Sequence, residues 1–255
     1  MAKVNTHHSA VQKSNAVALS LQEAQWRRLE VATNNIANAQ TPGFKSTLLK
    51  LEESLQKNKA KNSRAVSYVR ANKQTRNLSN GAFRLTGNPL DVCLTGNGYF
   101  MVTNANGKFF TRNGQWERSV KGELITASSG HAVMNKSGSS ILIPAEVKNV
   151  AINAQGEVYG DGTFLGQVGV FAFQNQQDGL KSVGGSLYTP TKGNEPIESR
   201  QYQVRQGGTE DSNVSAMEEG ILLIKILREY ENAQKVIDQD DQNKKMMINV
   251  SQKNV

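Results

Sequence analysis

Nucleophilic catalysis needs a histidine beside a serine or cysteine nucleophile, and this 255-residue chain has three histidines: His7, His8 and His131. The first two stand in a polar, unstructured-looking start; His131 follows Ser129-Gly130 and reads as a solvated turn residue. Structural zinc needs clustered Cys and His ligands, and the single cysteine, Cys93, lies in an apolar run where it reads as a small buried hydrophobe. One cysteine also forbids an internal disulfide, which fits a reducing compartment or a chain that travels unfolded. The stretch GDGTFLG, 160–166, nearly matches a dinucleotide-binding turn, but its third glycine comes one place late and β-type sequence surrounds it, so it reads as a hairpin turn. Glycoside hydrolysis needs two facing carboxylates, whereas Asp91, Glu117, Glu123, Glu146, Glu157 and Asp161 are scattered over strand ends and turns. The acidic run at Asp238, Asp240 and Asp241 lacks the glycine of a calcium loop. The expectation is no enzyme, no cofactor and no metal.

Charge offers a second kind of chemistry. The net charge is +8, and the window 54–90 holds no acidic residue but eight basic ones: Lys57, Lys59, Lys61, Arg64, Arg70, Lys73, Arg76 and Arg84. Such a run can neutralise phosphates, yet Tyr68 is its only aromatic before Phe83, which is poor provision for base stacking. A solvated, extended connector with at most one short strand at Val66, Tyr68 and Val69 is the preferred reading, contact with an anionic surface such as cell-wall polymer comes second, and nucleic acid is not expected. No apolar run approaches the ~18 residues of a membrane span, and the start lacks the apolar region of a cleaved signal.

These residues must be positioned by four kinds of segment. From about 14 to 38 an apolar stripe of Ala18, Leu21, Leu29, Ala32 and Ile36, interrupted by Gln25, predicts an amphipathic helix. It ends in Asn34, Asn35 and Asn38, then Thr41-Pro42-Gly43. Pro42 forces Thr41 out of the helix, Asn38 is expected to take a left-handed cap, and Gly43 permits a sharp turn. Asn34 and Asn35 either bridge to backbone groups of a neighbouring element and set register, or stand exposed and idle.

From 81 to about 202 short apolar runs are punctuated by glycine and asparagine. Strands are predicted at 89–94, 99–103, 108–111, 115–118, 140–143, 147–152, 157–159, 166–173 and 201–205, with turns at Asn106-Gly107, Asn113-Gly114 and Lys121-Gly122. Strands at this spacing imply an all-β sandwich or barrel-like domain. After a cap at Ser212 or Asn213, a second helix carries Leu223, Ile226, Tyr230, Ala233 and Ile237 in a 3-4 rhythm, and 221–227, which includes Leu227, is apolar around most of its circumference. One partner helix cannot cover all of that, so several neighbours and an oligomer or polymer are expected. The fold class is α+β: terminal amphipathic helices (1–44 and 211–255) forming a coiled-coil assembly domain, a basic connector (45–80), and an inserted all-β domain (81–210).

The stretch LEVATNNIANAQTPGFKS resembles the N-terminal signature of the bacterial flagellar rod and hook family through Leu29, Asn34, Asn35, Ile36, Ala37, Asn38, Thr41, Pro42, Gly43, Phe44 and Lys45. GNPLDVCLTGNGYFMV with FFTRNGQW resembles the opening of that family's β domain, and SNVSAMEEGILLIKILREYENAQKVID its closing helix. The resemblance implies a non-enzymatic axial subunit of the basal-body rod, in the periplasm and exported without a cleaved signal. Its terminal helices would pack as concentric coiled coils around an export channel. Its partners would be copies of itself, other rod proteins and the flagellar export apparatus. The short span from Phe44 to Pro89 is most like the proximal rod members, then the distal ones; hook members are usually larger. On this reading Leu29, Asn34, Asn35, Ile36, Asn38, Leu223, Ile226, Leu227, Tyr230 and Ile237 form the assembly interface, and Thr41, Pro42 and Gly43 stop the helix.

Overall fold

The structure, a computed structural model, describes residues 2–56, 66–177 and 179–253. The chain is mixed helix and sheet and divides into two compact units. The first (Met1–Ile36, Thr47–Thr75 and Ala216–Val255) is built on α1 (Ala2–Ala37), β1 (Thr47–Gln56), β2 (Val66–Arg76) and α2 (Ala216–Lys253). α1 starts at Ala2 instead of near Ser14, so His7 and His8 are helical. The reason is local: residues 2–37 contain neither glycine nor proline, and the first breaker is Pro42.

The segment expected as an extended connector carries β1 and β2, which pair with each other in a two-stranded sheet. Its most basic part, 57–65, lies outside the described residues.

The second unit (Ala37–Ser46 and Arg76–Ser215) has only strands among its described regular elements. In chain order they are β3 (Phe83–Leu85), β4 (Val92–Gly96), β5 (Tyr99–Asn104), β6 (Gly107–Thr111), β7 (Trp116–Arg118), β8 (Leu124–Thr126), β9 (Ala132–Val133), β10 (Val150–Ile152) and β11 (Glu157–Gly160). Then come β12 (Thr163–Gln167), β13 (Val170–Ala172), β14 (Leu180–Gly184), β15 (Leu187–Pro190), β16 (Ile197–Glu198), β17 (Tyr202–Gln206) and β18 (Gly208–Glu210). The main sheet runs β14-β15-β6-β5-β9-β8-β7, with β13 joining β5 to β16. Around it lie β10-β11-β12, β17-β4 and β18-β3.

β5 organises the interior because its side chains alternate between two faces. Phe100 and Val102 join a core with Trp116, Leu124, Val133, Ile141 and Val168, where Phe100 and Trp116 meet edge to face at 4.8 Å. Tyr99 and Met101 point into a second cluster with Phe110, Phe173, Leu180 and Tyr188, held by T-shaped contacts of 4.9–6.0 Å. With both faces covered, Tyr99 to Val102 are all buried.

Several predicted boundaries move for identifiable reasons. The β5–β6 turn is Ala105-Asn106, because Asn104 and Gly107 already pair. Asn113-Gly114 makes no hairpin: Gly114 lies so close to β4 that a Cβ there would sit 1.8 Å from the Val92 carbonyl oxygen, and that approach is what the glycine serves. The run 140–143 forms only isolated bridges, Ser140 to Met134 and Leu142 to Glu123. The run 166–173 breaks at Val168-Gly169, whose amides turn to Gly156 and Met134. GDGTFLG is a hairpin: Asp161 (φ 47°) and Gly162 (φ 86°) connect β11 to β12. The Asp161 carboxylate accepts from the Lys148 and Asn149 amides at 3.0 Å each, and those bonds hold it below the usual carboxylate range.

Burial pushes the Tyr188 phenol up to about 12 from 10.0, against the opposing pull of Arg76, whose guanidinium lies 4.6 Å from the ring centre. The folded state therefore keeps a proton that the unfolded chain releases, so stability falls as pH rises from 10.0 to about 12. The expected loss is roughly 3 kcal/mol, checked by phenolate absorbance and by urea midpoints measured across that range.

Candidate assembly surface

α1 and α2 form an antiparallel pair tied by polar rungs. Gln22 donates to Gln234 at 2.7 Å, Arg28 to Glu229 at 2.8 Å, and Asn35 to Glu219 at 2.8 Å, so positions climb along α1 as they descend along α2. Between the rungs lie Ala24, Val31 and Ala32 on α1 and Ile226 and Ala233 on α2, and Ala18 lies one turn before the first rung, all buried. Gln25, which interrupts the apolar stripe, is buried too and accepts from Arg28 at 2.9 Å. Polar groups inside a helical seam fix register because each must find its partner.

Asn35 is the most constrained of these. Its Oδ1 accepts from the Thr47 amide at 2.9 Å, and its Nδ2 donates to the Thr47 carbonyl at 2.9 Å and to Glu219. The bridge is thus to the first residue of β1 and to a side chain of α2. Asn34 is exposed. Asn38 does not adopt the left-handed cap expected of it: among described residues only Asp161 and Ser186 are non-glycines of positive φ. The chain instead leaves α1 through a turn in which the Thr41 amide donates to the Asn38 carbonyl at 3.1 Å. Thr41 and Pro42 are half-buried in that turn. Gly43 takes the left-handed conformation (φ 67°), and a Cβ there would sit 2.4 Å from the Arg112 backbone.

Ile226 is on the covered face, and Leu223, Tyr230, Ile237, Leu29 and Ile36 are half-buried. Leu227 is largely exposed. The opposite face of α2 carries Met217, Ile221 and Ile224, which are 78%, 64% and 54% exposed. Met217 precedes Ile226 by nine residues, which at 100° per residue is half a turn out of phase. α1 likewise presents Leu19 and Trp26, 55% and 54% exposed, one heptad apart. Single exposed apolar residues are ordinary, but stripes at i, i+4, i+7 mark a contact surface. A groove of about 320 Å³ between the two helices is lined by Leu21, Gln25, Glu229, Asn232, Ala233 and Val236.

The second unit holds a polar knot that local sequence does not announce. Lys45, just after the helix-stop turn, is buried and donates to Glu210 at 2.6 Å and to the Ser79 carbonyl at 2.8 Å. Glu210 also accepts from the Gly81 amide at 2.9 Å and faces Arg112 at 3.6 Å. Arg112 is spent on the Leu94 and Gly96 carbonyls. Burial lowers the Lys45 ammonium from its ordinary value, the Glu210 carboxylate opposing. Burial likewise pushes up the Cys93 thiol. Asn213, expected to cap α2, instead accepts from the Ser46 amide and donates to the Asn77 and Ser79 carbonyls; α2 begins at Ala216. His131 is buried, not solvated: its ring nitrogens meet Asn104 at 2.8 Å and Ser129 at 2.8–3.0 Å.

Three family profiles match the chain: flagella basal body rod protein over 17–45, the D1 domain of flagellar hook protein FlgE/F/G over 93–160, and the C-terminal segment of flagellar basal body rod FlgEFG protein over 205–250. Flagellar basal-body rod protein FlgF of Rhizobium meliloti is 31% identical over 217 residues, 85% of this chain and 88% of that protein. FlgF of Mesorhizobium japonicum is 30% identical over 87% of this chain and 90% of its own length. The chain belongs to the flagellar basal-body rod protein family. FlgG of Bacillus subtilis, 28% identical over 88% of the chain and 93% of its own length, extends the likeness across the family. This rod-family chain is a structural subunit of the flagellar basal body and not an enzyme, and a nucleic-acid role for its basic segment is not favoured. No helix among the described residues is long and apolar enough to cross a membrane.

Proposed function

We propose that this rod subunit polymerises through its terminal helices, with copies of itself and other rod proteins covering the outward faces of α1 and α2. The observation that carries this is the stripe of Met217, Ile221 and Ile224 standing half a turn from the buried Ile226, on a helix whose inner face is already occupied. The helices, 1–44 and 211–255, then act as the coiled-coil assembly domain, with 81–210 inserted between them. Leu29, Ile36, Leu223, Ile226, Tyr230 and Ile237 build the pair, Asn35 sets its register, and Leu227 and the outer stripe meet neighbours. A periplasmic rod position near its proximal end, passage through the export apparatus, and contact of the basic segment with anionic cell wall belong to the same reading.

Ile221→Asp/Ile224→Asp tests it. Both positions are exposed in the single chain, so helix content and the melting of the second unit are expected to stay unchanged while recovery of the chain in purified basal bodies drops at least tenfold, since each buried Ile contributes about 2 kcal/mol. Normal incorporation of the double variant would overturn the proposal.

A further inference from the structure

Asparagine followed by glycine carries a reaction of its own, because the side-chain amide is thermolabile and glycine puts no side chain in the way. The glycine backbone nitrogen sheds its proton and attacks the asparagine Cγ. The new N–Cγ bond closes a five-membered succinimide, the Cγ–Nδ2 bond breaks, and the departing nitrogen takes up a proton from water and leaves as ammonia. Water then opens the ring at either carbonyl. One opening gives aspartate. The other gives isoaspartate, whose main chain runs through the former side chain and is one atom longer. The attack needs the glycine amide released from its hydrogen bond and the backbone free to swing, so its rate follows the population of the locally open state.

Four such steps occur, Asn80-Gly81, Asn97-Gly98, Asn106-Gly107 and Asn113-Gly114, all in the second unit. Exposure does not rank them, since Asn80, Asn97 and Asn106 are all exposed. Their bonds do. The Gly81 amide donates to the buried Glu210 carboxylate at 2.9 Å across 129 residues of chain, and a Cβ at Gly81 would sit 1.8 Å from the Asp211 carbonyl oxygen. Asn97 accepts at Oδ1 from Gln176 and at its carbonyl from Ser199, 79 and 102 residues away, and its amide donates to the Gln201 carbonyl at 2.9 Å. Asn113 is buried, its Oδ1 accepts from the Gln115 amide at 2.9 Å, and Gly114 is pressed against Val92. Opening any of these three steps parts segments that lie far apart in sequence.

Asn106-Gly107 is held by its own turn. The Asn106 amide donates to Asn104 Oδ1 at 2.8 Å, Thr103 Oγ1 donates to the Gly107 carbonyl at 3.0 Å, and Asn104 pairs with Gly107. Apart from its chain neighbours, no atom stands within 4 Å of where a Gly107 Cβ would be. The turn therefore frays at the tip of the hairpin while β5 and β6 stay paired from Thr103 and Lys108 onward.

We propose that Asn106 is a site of spontaneous covalent modification in the folded subunit, converting to aspartate and isoaspartate, while the fold preserves Asn80, Asn97 and Asn113. The product places a negative charge, and in part a lengthened main chain, at the tip of the β5–β6 hairpin. The inference is independent of the assembly reading above.

The full-length chain, held folded in warm, mildly alkaline buffer and sampled over time, tests this by peptide mapping with mass spectrometry, which reads amide-to-acid conversion at each asparagine and separates the two acid products. Asn106 is expected to convert at least about tenfold faster than each of the other three. In concentrated urea, where local sequence alone acts, the four are expected to convert at similar rates. Asn104→Ala removes the acceptor of the Asn106 amide and is expected to speed conversion at Asn106 about fivefold, with Asn80 unchanged. A folded chain in which Asn106 keeps its amide, or in which Asn80, Asn97 or Asn113 keeps pace with it, would overturn the inference. So would an Asn104→Ala chain that converts at the parent rate, since the bonds of the turn would then not govern the site.

Discussion

Glu210→Gln is expected to cost the second unit about 4 kcal/mol, because it leaves two cations in the interior with no anion. Glu210 is 1% exposed, and its Oε1 alone receives the Lys45 ammonium at 2.6 Å and the Gly81 amide at 2.9 Å. Arg112, at 3.6 Å from Oε2, keeps its carbonyl partners, Leu94 and Gly96, but loses its counter-charge. A neutral amide preserves the shape, so the loss reports charge and not a cavity. The pH dependence follows. Burial already lowers the Lys45 ammonium and Glu210 opposes that effect; without the carboxylate it falls further. Over the interval in which Lys45 is neutral when folded but protonated when unfolded, the folded state binds fewer protons, so the stability of the variant rises with pH. Lys45→Met/Glu210→Gln removes the stranded ammonium and is expected to recover part of the loss. Urea midpoints from near-ultraviolet circular dichroism, which reports the packed aromatics around Tyr99 and Trp116, measure all three chains.

The knot at Lys45 shows why part of this molecule could be read from sequence and part could not. Turns and helices leave local marks. Asp161-Gly162 is a positive-φ hairpin at the place where GDGTFLG predicts one, and two residues of the 3-4 rhythm, Ile226 and Ala233, are buried on α2. The partners of Lys45 leave no such mark, since Glu210 lies 165 residues away and both residues look like ordinary surface charge. Asn213 misleads for the same reason. A polar residue just before a helix is normally a cap, but its amide is consumed by Ser46, Asn77 and Ser79, 134 to 167 residues distant. β1, and β2 beyond the short run at Val66, Tyr68 and Val69, were illegible for another reason: two strands that pair only with each other need no apolar core face, so the alternation that marks the interior strands is weak in them. His131 reads as a loop residue because its turn is polar, yet Asn104, Ser129 and the Phe109 ring, 5.5 Å away, enclose it. The family signature places Asn34 and Asn35 together; only the structure separates the exposed one from the buried one.

That separation sets the other large effect. Asn35→Ala is expected to destabilise the helical unit by about 3 kcal/mol, whereas Asn34→Ala should stay within about 0.5 kcal/mol. Three hydrogen bonds end on the Asn35 amide, two of them on the Thr47 backbone and one on Glu219. Truncation leaves the Thr47 amide and carbonyl, and the Glu219 carboxylate, facing a site at 1% exposure that solvent does not reach. The loss is thus the desolvation of stranded groups as well as the bonds themselves. Asn35→Asp separates these effects. Its Oδ1 still accepts from Thr47, but the second oxygen now faces the Thr47 carbonyl and the Glu219 carboxylate, so at neutral pH it is expected to be less stable than Asn35→Ala. A carboxyl crowded by another carboxylate holds its proton more tightly in the folded state than in the unfolded one. Its deficit should therefore shrink as pH falls, while that of Asn35→Ala should follow the parent chain. Thermal melts followed by helix circular dichroism at several acid pH values distinguish the two. Equal deficits at every pH would mean that the amide fills space and does not pin the start of β1 to the second helix.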